Sequence, residues 1–163
     1  MRRLATLLLL AALSGCGVKW EETSIAQDGF SAAFPQPVTS IVKGNTSEWW
    51  ARAGETEVKV IVVSLGNGIT EALGGAEAVL AARQADLKGA GTERSPMRHT
   101  RVGGYPALDY HMDAKFGDGS TRELKGRNVV VRDRVYIVSA SWPLGYKSGP
   151  ESAERIINSF HPL

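Results

Sequence analysis

The sequence predicts one α+β domain in which an antiparallel sheet lies between helices. Two observations support this prediction. Several segments alternate apolar and polar residues with a period of two and are separated by short glycine-containing turns, which is typical of antiparallel strands. Two other segments repeat apolar residues at helical spacing, and the last of them has the full i, i+3, i+4 and i+7 pattern, so each predicts a helix with one buried stripe.

The N-terminal half of the domain contains three predicted strands. Residues Phe30–Phe34 alternate and stop at Pro35, which predicts a short strand. Residues 47–65 predict two strands joined by a turn near Gly54. The second of these strands has apolar residues on both faces, so we expect an interior strand that is covered on both sides. The residues are Val58, Val60 and Val62 on one face and Ile61, Val63 and Leu65 on the other.

A helix is predicted next, from about Gly75 to Lys88, with Gly89 as its C-terminal cap. A polar loop then leads to a strand that directs alternate apolar residues to one side. These residues are Leu108, Tyr110, Met112 and Ala114. Gly117–Ser120 predicts a hairpin turn, and two more strands complete a three-stranded meander. The chain ends with an amphipathic helix that begins at Pro150.

The N-terminus has the organisation of a secretory signal. Arg2 and Arg3 are followed by the apolar run Leu4–Leu13 and then by small residues. The run is too short to cross a bilayer, which requires about 20 residues. The alternative is a buried N-terminal helix, but that helix would need a polar stripe, which this segment lacks.

The tetrapeptide Leu13-Ser14-Gly15-Cys16 resembles the lipobox of bacterial lipoprotein precursors. The resemblance implies that residues 1–15 are a cleaved signal peptide and that Cys16, the only cysteine, carries acyl chains. Several chains would anchor the protein firmly in a membrane, because each buried methylene contributes about 0.8 kcal/mol. An aspartate after the cysteine would resemble an inner-membrane retention signal, but Gly17 stands there. In a Gram-negative source we therefore expect the outer membrane, facing the periplasm.

The mature chain is predicted to consist of a lipidated cysteine and short tether, residues 16–27, and an α+β domain, residues 28–163. An extended tether of this length spans a few tens of Å at about 3.3 Å per residue, so we expect the domain to work close to the membrane. Once Arg2 and Arg3 are removed, 17 of the 19 basic residues remain against 17 acidic ones. A neutral domain has no net field to attract nucleic acid, so no nucleic-acid partner is expected.

Four segments of the mature chain occur in a recognisable order. They are DGFSAAFP at 28–35, RVGGYPALDY at 101–110, RVYIVSASWP at 134–143 and ERIINSF at 154–160. In this order they resemble the PsbP-like superfamily, which includes the extrinsic photosystem II subunit, DcrB-type bacterial lipoproteins and secretion-associated chaperone domains. The resemblance implies an antiparallel sheet between helical layers and a role in binding or assembly. It supplies no catalytic residue, because the superfamily has no common catalytic motif.

Asp109, His111 and Asp113 form the most suggestive polar group. Alternate positions place all three on one face of a strand, about 6.6 to 7 Å apart. One metal ion needs its ligand atoms within about 2.0–2.2 Å, which is difficult for three residues along a straight strand. The alternative is a face that is solvated or bonded to the neighbouring strand near Arg127, so we predict no metal site and no cofactor.

The sequence contains no recognisable catalytic motif. Ser139 and Ser141 lie in a strand pattern without the GxSxG turn that exposes a serine nucleophile. A dinucleotide-binding glycine pattern that begins at Gly66 fails because Glu71 stands where its third glycine is required. We therefore expect a protein that is not an enzyme.

The tryptophans are the best candidates for contact with a partner. Trp49 and Trp50 are neighbours on a predicted strand, so their side chains point to opposite faces. Either each packs under a different helical layer, or one indole is exposed as an anchor for a protein or an apolar ligand. Trp142, before Pro143, poses the same question.

Together these features predict a membrane-anchored envelope lipoprotein that acts as a non-enzymatic protein-binding or assembly module. Its partners would be the membrane, through acylated Cys16, and another envelope protein. The alternative is a carrier of a small apolar ligand or lipid in a cavity between sheet and helix.

Overall fold

The computed structural model describes residues 17–163, and these residues form one domain around a seven-stranded antiparallel sheet. Two hairpin-connected units make this sheet, and the last strand of the second unit pairs with the last strand of the first. In spatial order the strands are β3 (Thr39–Lys43), β4 (Thr46–Ala53), β5 (Thr56–Ser64), β9 (Arg134–Pro143), β8 (Thr121–Val131), β7 (Tyr105–Lys115) and β6 (Gly91–Val102).

A second, three-stranded sheet has the order β1–β2–β10. Its strands are β1 (Trp20–Ile25), β2 (Phe30–Pro35) and β10 (His161–Pro162). The segment predicted as a tether, residues 16–27, therefore differs from the structure, because β1 lies within it. The middle of β1 is polar, so the segment lacks the alternation that identifies a strand, and its position depends on pairing with β2 and on Ile25 in the core. Residues 17–19 alone separate Cys16 from the first strand.

Within residues 17–163 three helices accompany the sheets, and the two longer ones lie on opposite faces of the main sheet. These helices are α1 (Ile69–Ala72), α2 (Ala76–Ala90) and α3 (Gly149–Ser159). Helix α2 packs on β6, β7 and β8, whereas α3 packs on β5, β8, β9 and β2. The predicted antiparallel sheet between helices is confirmed. Gly89 does not end α2 as predicted, since the helix continues through it.

A separate hydrophobic cluster fills each side of the sheet. On the α3 face the three valines of β5 pack with the aromatic residues of β2 and with α3. On the α2 face the alternate residues of β7 pack with Leu80 and Leu87 of α2. The predicted faces of β5 and β7 are therefore confirmed, and the turn at Gly117–Ser120 joins β7 to β8 as expected. The second face of β5 is covered less than predicted, because Ile61, Val63 and Leu65 are only half-buried.

Strand β6 corrects one prediction. The segment before β7, predicted as a polar loop, is a twelve-residue edge strand, so the meander has four strands. Its side chains are mostly polar and exposed on both faces, and its pairing with β7 shifts register between Glu93 and Ser95 and between Ser95 and Arg98. A strand of this kind has no two-residue alternation, so a sequence pattern cannot distinguish it from a loop.

The helices leave half of each sheet face uncovered. On the α2 face no helix of residues 17–163 packs on β3 or β4, and α2 meets the β5 segment at Val63 and Leu65. We call the open area the β3–β5 surface, with Ile41, Glu48, Trp50, Lys59 and Ile61 pointing out of it. On the α3 face the open half lies mainly over β6 and β7. None of the helices in residues 17–163 is long and apolar enough to span a membrane.

Candidate functional site

The proposed lipidation site, Cys16, lies outside the described residues, so its acylation stays a prediction. The first described residues lie at one end of the main sheet. There Gly17 and Val18 line a shallow depression with Gly54, in the turn between β4 and β5, and with Tyr146, in the loop between β9 and α3. A lipid anchor at residue 16 would therefore sit beside this end of the domain.

Trp49 and Trp50 point to opposite faces of β4, as predicted. The indole of Trp49 lies against the core of the α3 face, and its Nε1–H donates to Oδ2 of Asp28 at 2.6 Å. Trp50 lies on the β3–β5 surface, opposite Thr39 and Lys59 on the neighbouring strands. It is half-buried and belongs to neither hydrophobic cluster.

Apolar and charged side chains alternate around Trp50. Ile41 is 42% exposed, and Ile61 is half-buried on the same face. Lys59 lies 3.3 Å from a carboxylate oxygen of Glu57 and 3.9 Å from one of Glu48. An apolar centre with a rim of charged groups is the usual organisation of a protein–protein interface.

The two edges of the main sheet differ in their protection. Strand β6 contains Pro96, two register irregularities and several arginines, which are features that block pairing with another strand. Strand β3 is regular, all five of its residues are exposed, and Val42 is 63% exposed. The β3 edge therefore offers free backbone donors and acceptors beside the β3–β5 surface.

Trp142 lies in the core rather than at the surface. It is 1% exposed and packs under α3 against Gly149, the first residue of that helix. A β-carbon at position 149 would overlap the indole ring. In this structure the indole of Trp142 is not available to a partner.

Asp109, His111 and Asp113 share the α3 face of β7, and each is bonded to a neighbouring strand. Asp109 pairs with Arg127, and Nε2 of His111 lies 2.7 Å from Oε1 of Glu123. Asp113 pairs with Nε of Arg94, whose Nη1 also lies 3.4 Å from Glu123. Thus each group has a partner of its own. Within residues 17–163 no three His, Cys, Asp or Glu side chains are grouped to hold a metal ion.

Asp109, His111 and Arg127 line a cleft of about 240 Å³ between α3 and the open half of the α3 face. Lys125 and Glu154 close one side of the cleft with an ion pair of 3.2 Å, and Arg98 is exposed on the other side. Because most of its charges are paired internally, the cleft has no strong preference for one sign of ligand.

An apolar groove of about 300 Å³ lies between α2 and strands β5 and β9. Val63, Val135 and Ile137 form its floor, Val79 and Ala82 form its wall, and Leu73, at its mouth, is 57% exposed. Sequence analysis did not find this groove, because its floor and wall come from segments far apart in the chain. The available signal was Leu73, an apolar residue in a glycine-rich connection.

No family model and no curated protein matches the sequence. Solved structures do resemble it. The cyanobacterial PsbP protein (CyanoP) from Synechocystis sp. PCC 6803 superposes with a TM-score of 0.57 and 14% sequence identity, over 94% of this chain and 99% of that chain. The fold is PsbP-like.

Two weaker structural similarities accompany this PsbP-like match. A protein from Bacteroides thetaiotaomicron VPI-5482 gives a TM-score of 0.49 at 11% identity, over 83% of this chain and 45% of that chain. A Pseudomonas aeruginosa protein of unknown function gives 0.44 at 13% identity, over 77% of this chain and 83% of that chain. At such identities structural similarity describes the fold alone, so the function must be argued from the surfaces of the domain.

Proposed function

We propose that this protein is a membrane-anchored lipoprotein of the bacterial envelope whose PsbP-like domain binds another envelope protein and catalyses no reaction. The lipobox at Leu13–Cys16 supports the anchor, and in a Gram-negative source Gly17 favours the outer membrane, facing the periplasm. The observation that supports binding is the β3–β5 surface, where Trp50 lies on a part of the sheet that no helix of residues 17–163 covers.

The proposed mechanism combines the β3 edge with the β3–β5 surface. A partner strand adds to β3 through backbone hydrogen bonds, which are open to any sequence, while side-chain contacts around Trp50 provide the specificity. Large, amphipathic indoles often dominate interface energies, and the paired charges of Lys59, Glu48 and Glu57 form the polar rim.

Site-specific photocrosslinking in native membranes tests this function. A photoreactive amino acid at Ile41, on the β3–β5 surface, should give one reproducible crosslinked protein with the acylated chain. The same probe at exposed Ser24, on β1, is the matched control and should not. The Trp50→Ala variant should lose the crosslink at position 41. Equal crosslinking from both positions would contradict a specific interface there.

A second candidate function is a carrier of a small apolar ligand, and the groove beside α2 supports it. Ligand pockets have volumes of about 300–1,000 Å³ and mainly apolar linings, so a groove of about 300 Å³ is large enough for a small ligand. The groove lies between sheet and helix, and its lining is mainly aliphatic. Extraction of the purified protein with organic solvent, followed by mass spectrometry, would identify a bound lipid.

A further inference from the structure

We infer that the groove beside α2 binds a single-chain amphiphile with an anionic head, of the fatty-acid type, with the head at Arg83. This inference rests on the second candidate function, because it specifies the ligand of that groove. The apolar lining accounts for the chain, and two separate observations on polar atoms account for the head.

The apolar lining is continuous along the N-terminal half of α2. Val63, Val135 and Ile137 present branched aliphatic side chains from two adjacent strands, and the helix contributes Val79 and Ala82. A saturated chain that fills this space moves its apolar surface out of water and into contact with these apolar side chains. The gain is about 25 cal/mol for each Å² of apolar area removed from water.

Arg83 is the only charged residue among those that line the groove. Its Nε is buried and has no hydrogen-bond partner among the described residues. Its Nη1 donates to Asp86 at 3.1 Å, but that carboxylate is 68% exposed and leaves Nε unused. A carboxylate at the end of the groove would accept a charge-assisted bond from Nε, which a neutral or cationic head could not do as well.

The sheet beneath the groove supplies the second observation. Asn128 is fully buried, and neither the oxygen nor the nitrogen of its amide has a partner among the described residues. It lies directly opposite Ile137 of the groove floor, at a β-carbon separation of about 5 Å. Asn128 does not itself line the groove, but unpaired polar groups are rare in folded proteins, so this amide indicates a polar group or water beside Ile137 of the groove floor.

Tyr110 is buried in the core near Arg83 and does not line the groove. Burial raises the pKa of the Tyr110 hydroxyl, and the nearby Arg83 guanidinium and Ser139 side chain oppose that rise. No acidic side chain lines the groove, so the guanidinium of Arg83 is the group that would meet the head.

The test uses the full acylated protein in nanodiscs and two photoreactive probes that differ only in their heads. These are a twelve-carbon fatty acid with a diazirine near its methyl end and the corresponding alcohol. Labelled peptides are quantified by mass spectrometry, with empty nanodiscs subtracted. We expect the acid to label the segment 69–90 about tenfold more than the alcohol, as the loss of one charge-assisted hydrogen bond would give.

Arg83→Gln should lower labelling by the acid to the level of the alcohol. Arg101→Gln is the matched control, since it removes the same charge from an exposed residue on edge strand β6, and it should change nothing. Equal labelling of the unmodified protein by acid and alcohol would overturn the anionic head and leave the carrier function standing. No labelling of the segment by either probe would overturn the carrier function as well. If Arg83→Gln does not fold, the comparison of acid with alcohol still decides.

Discussion

Arg127 and Asp109 face each other across strands β8 and β7 and form a two-pronged ion pair. Nε of Arg127 donates to Oδ1 of Asp109 at 2.6 Å, and Nη2 donates to Oδ2 at 2.9 Å. Both oxygens of the carboxylate are therefore engaged by one guanidinium. A metal ion could recruit Asp109 only by breaking this pair, in which both side chains are largely shielded from water.

The first prediction concerns the energy of this pair. Arg127→Ala should lower the free energy of unfolding by about 1–3 kcal/mol, because it leaves a partly buried carboxylate without its partner. The double variant Arg127→Ala/Asp109→Ala should recover part of the loss. Urea denaturation of the unmodified protein, the two single variants and the double variant gives the coupling energy. The exposed pair Lys19–Glu21 is the control, where we expect a coupling below about 0.5 kcal/mol. Coupling of equal size in both pairs would contradict the prediction.

The second prediction compares two glycine-to-alanine substitutions. Gly149→Ala should destabilise the protein by about 1–3 kcal/mol, because the new methyl group overlaps the ring of buried Trp142. Gly89→Ala makes the same change inside α2, where nothing lies within 4 Å, and it should stabilise the protein by about 0.5–1 kcal/mol. Thermal and urea denaturation would measure both effects. Two changes of the same sign would mean that Trp142 does not pack against α3 as described.

The third prediction concerns acid stability at Asp133, in the turn between β8 and β9. Its carboxylate accepts backbone N–H bonds from Gly68 at 2.9 Å and Thr70 at 3.0 Å, and these bonds hold its pKa below the usual value. The stabilisation is therefore complete above the unfolded pKa of about 3.9 and is lost as the pH falls through the lower folded pKa.

Asp133→Asn should consequently be less stable than the unmodified protein at pH 7, and the difference should shrink at the acid end of a urea-denaturation series. Asp86→Asn, at an exposed carboxylate on α2, should show little difference at either pH. A stability difference for Asp133→Asn that stays constant down to strongly acid pH would show that charge has no part in holding the turn.

The fourth prediction separates the tryptophans by their access to solvent. Trp142 is almost fully buried, whereas Trp50 is half-buried on a sheet surface without a helix. Iodide should therefore quench part of the tryptophan fluorescence of the unmodified protein. This quenchable fraction should be clearly smaller in Trp50→Phe and should not be smaller in Trp142→Phe. If Trp50→Phe leaves the quenchable fraction unchanged, the β3–β5 surface is covered in solution.

The parts of the fold that the sequence predicts are those with strong local periodicity. Strands β5 and β7 were assigned to the correct faces because burial on one or both sides imposes a two-residue pattern. Strands β1, β3 and β6 were missed because few of their side chains are buried, so their backbone is ordered largely by neighbouring strands. Edge strands are the elements for which local sequence carries the least information.

The candidate sites also differ in how much of each one the sequence could predict. The common face of Asp109, His111 and Asp113 follows from alternation, and the sequence also indicated bonding near Arg127 as one alternative. Their individual partners depend on the register between strands, which no local pattern specifies. The groove depends on more distant relationships still, because its floor joins β5 to β9 and its wall is α2. Arg83 therefore looked like an ordinary helix residue.

The position of Gly17 has a consequence for how the protein would exchange a ligand. Gly17 lies at the Gly54 end of the sheet, whereas the mouth of the groove, at Leu73, lies near Leu65 and the opposite end. These ends are roughly 26 Å apart along β5, at about 3.3 Å per residue. With Cys16 acylated as proposed, the mouth would open away from the leaflet that holds the anchor. A ligand in the groove would then exchange across the aqueous gap with a protein or membrane on the far side, and not with the lipid beneath the domain.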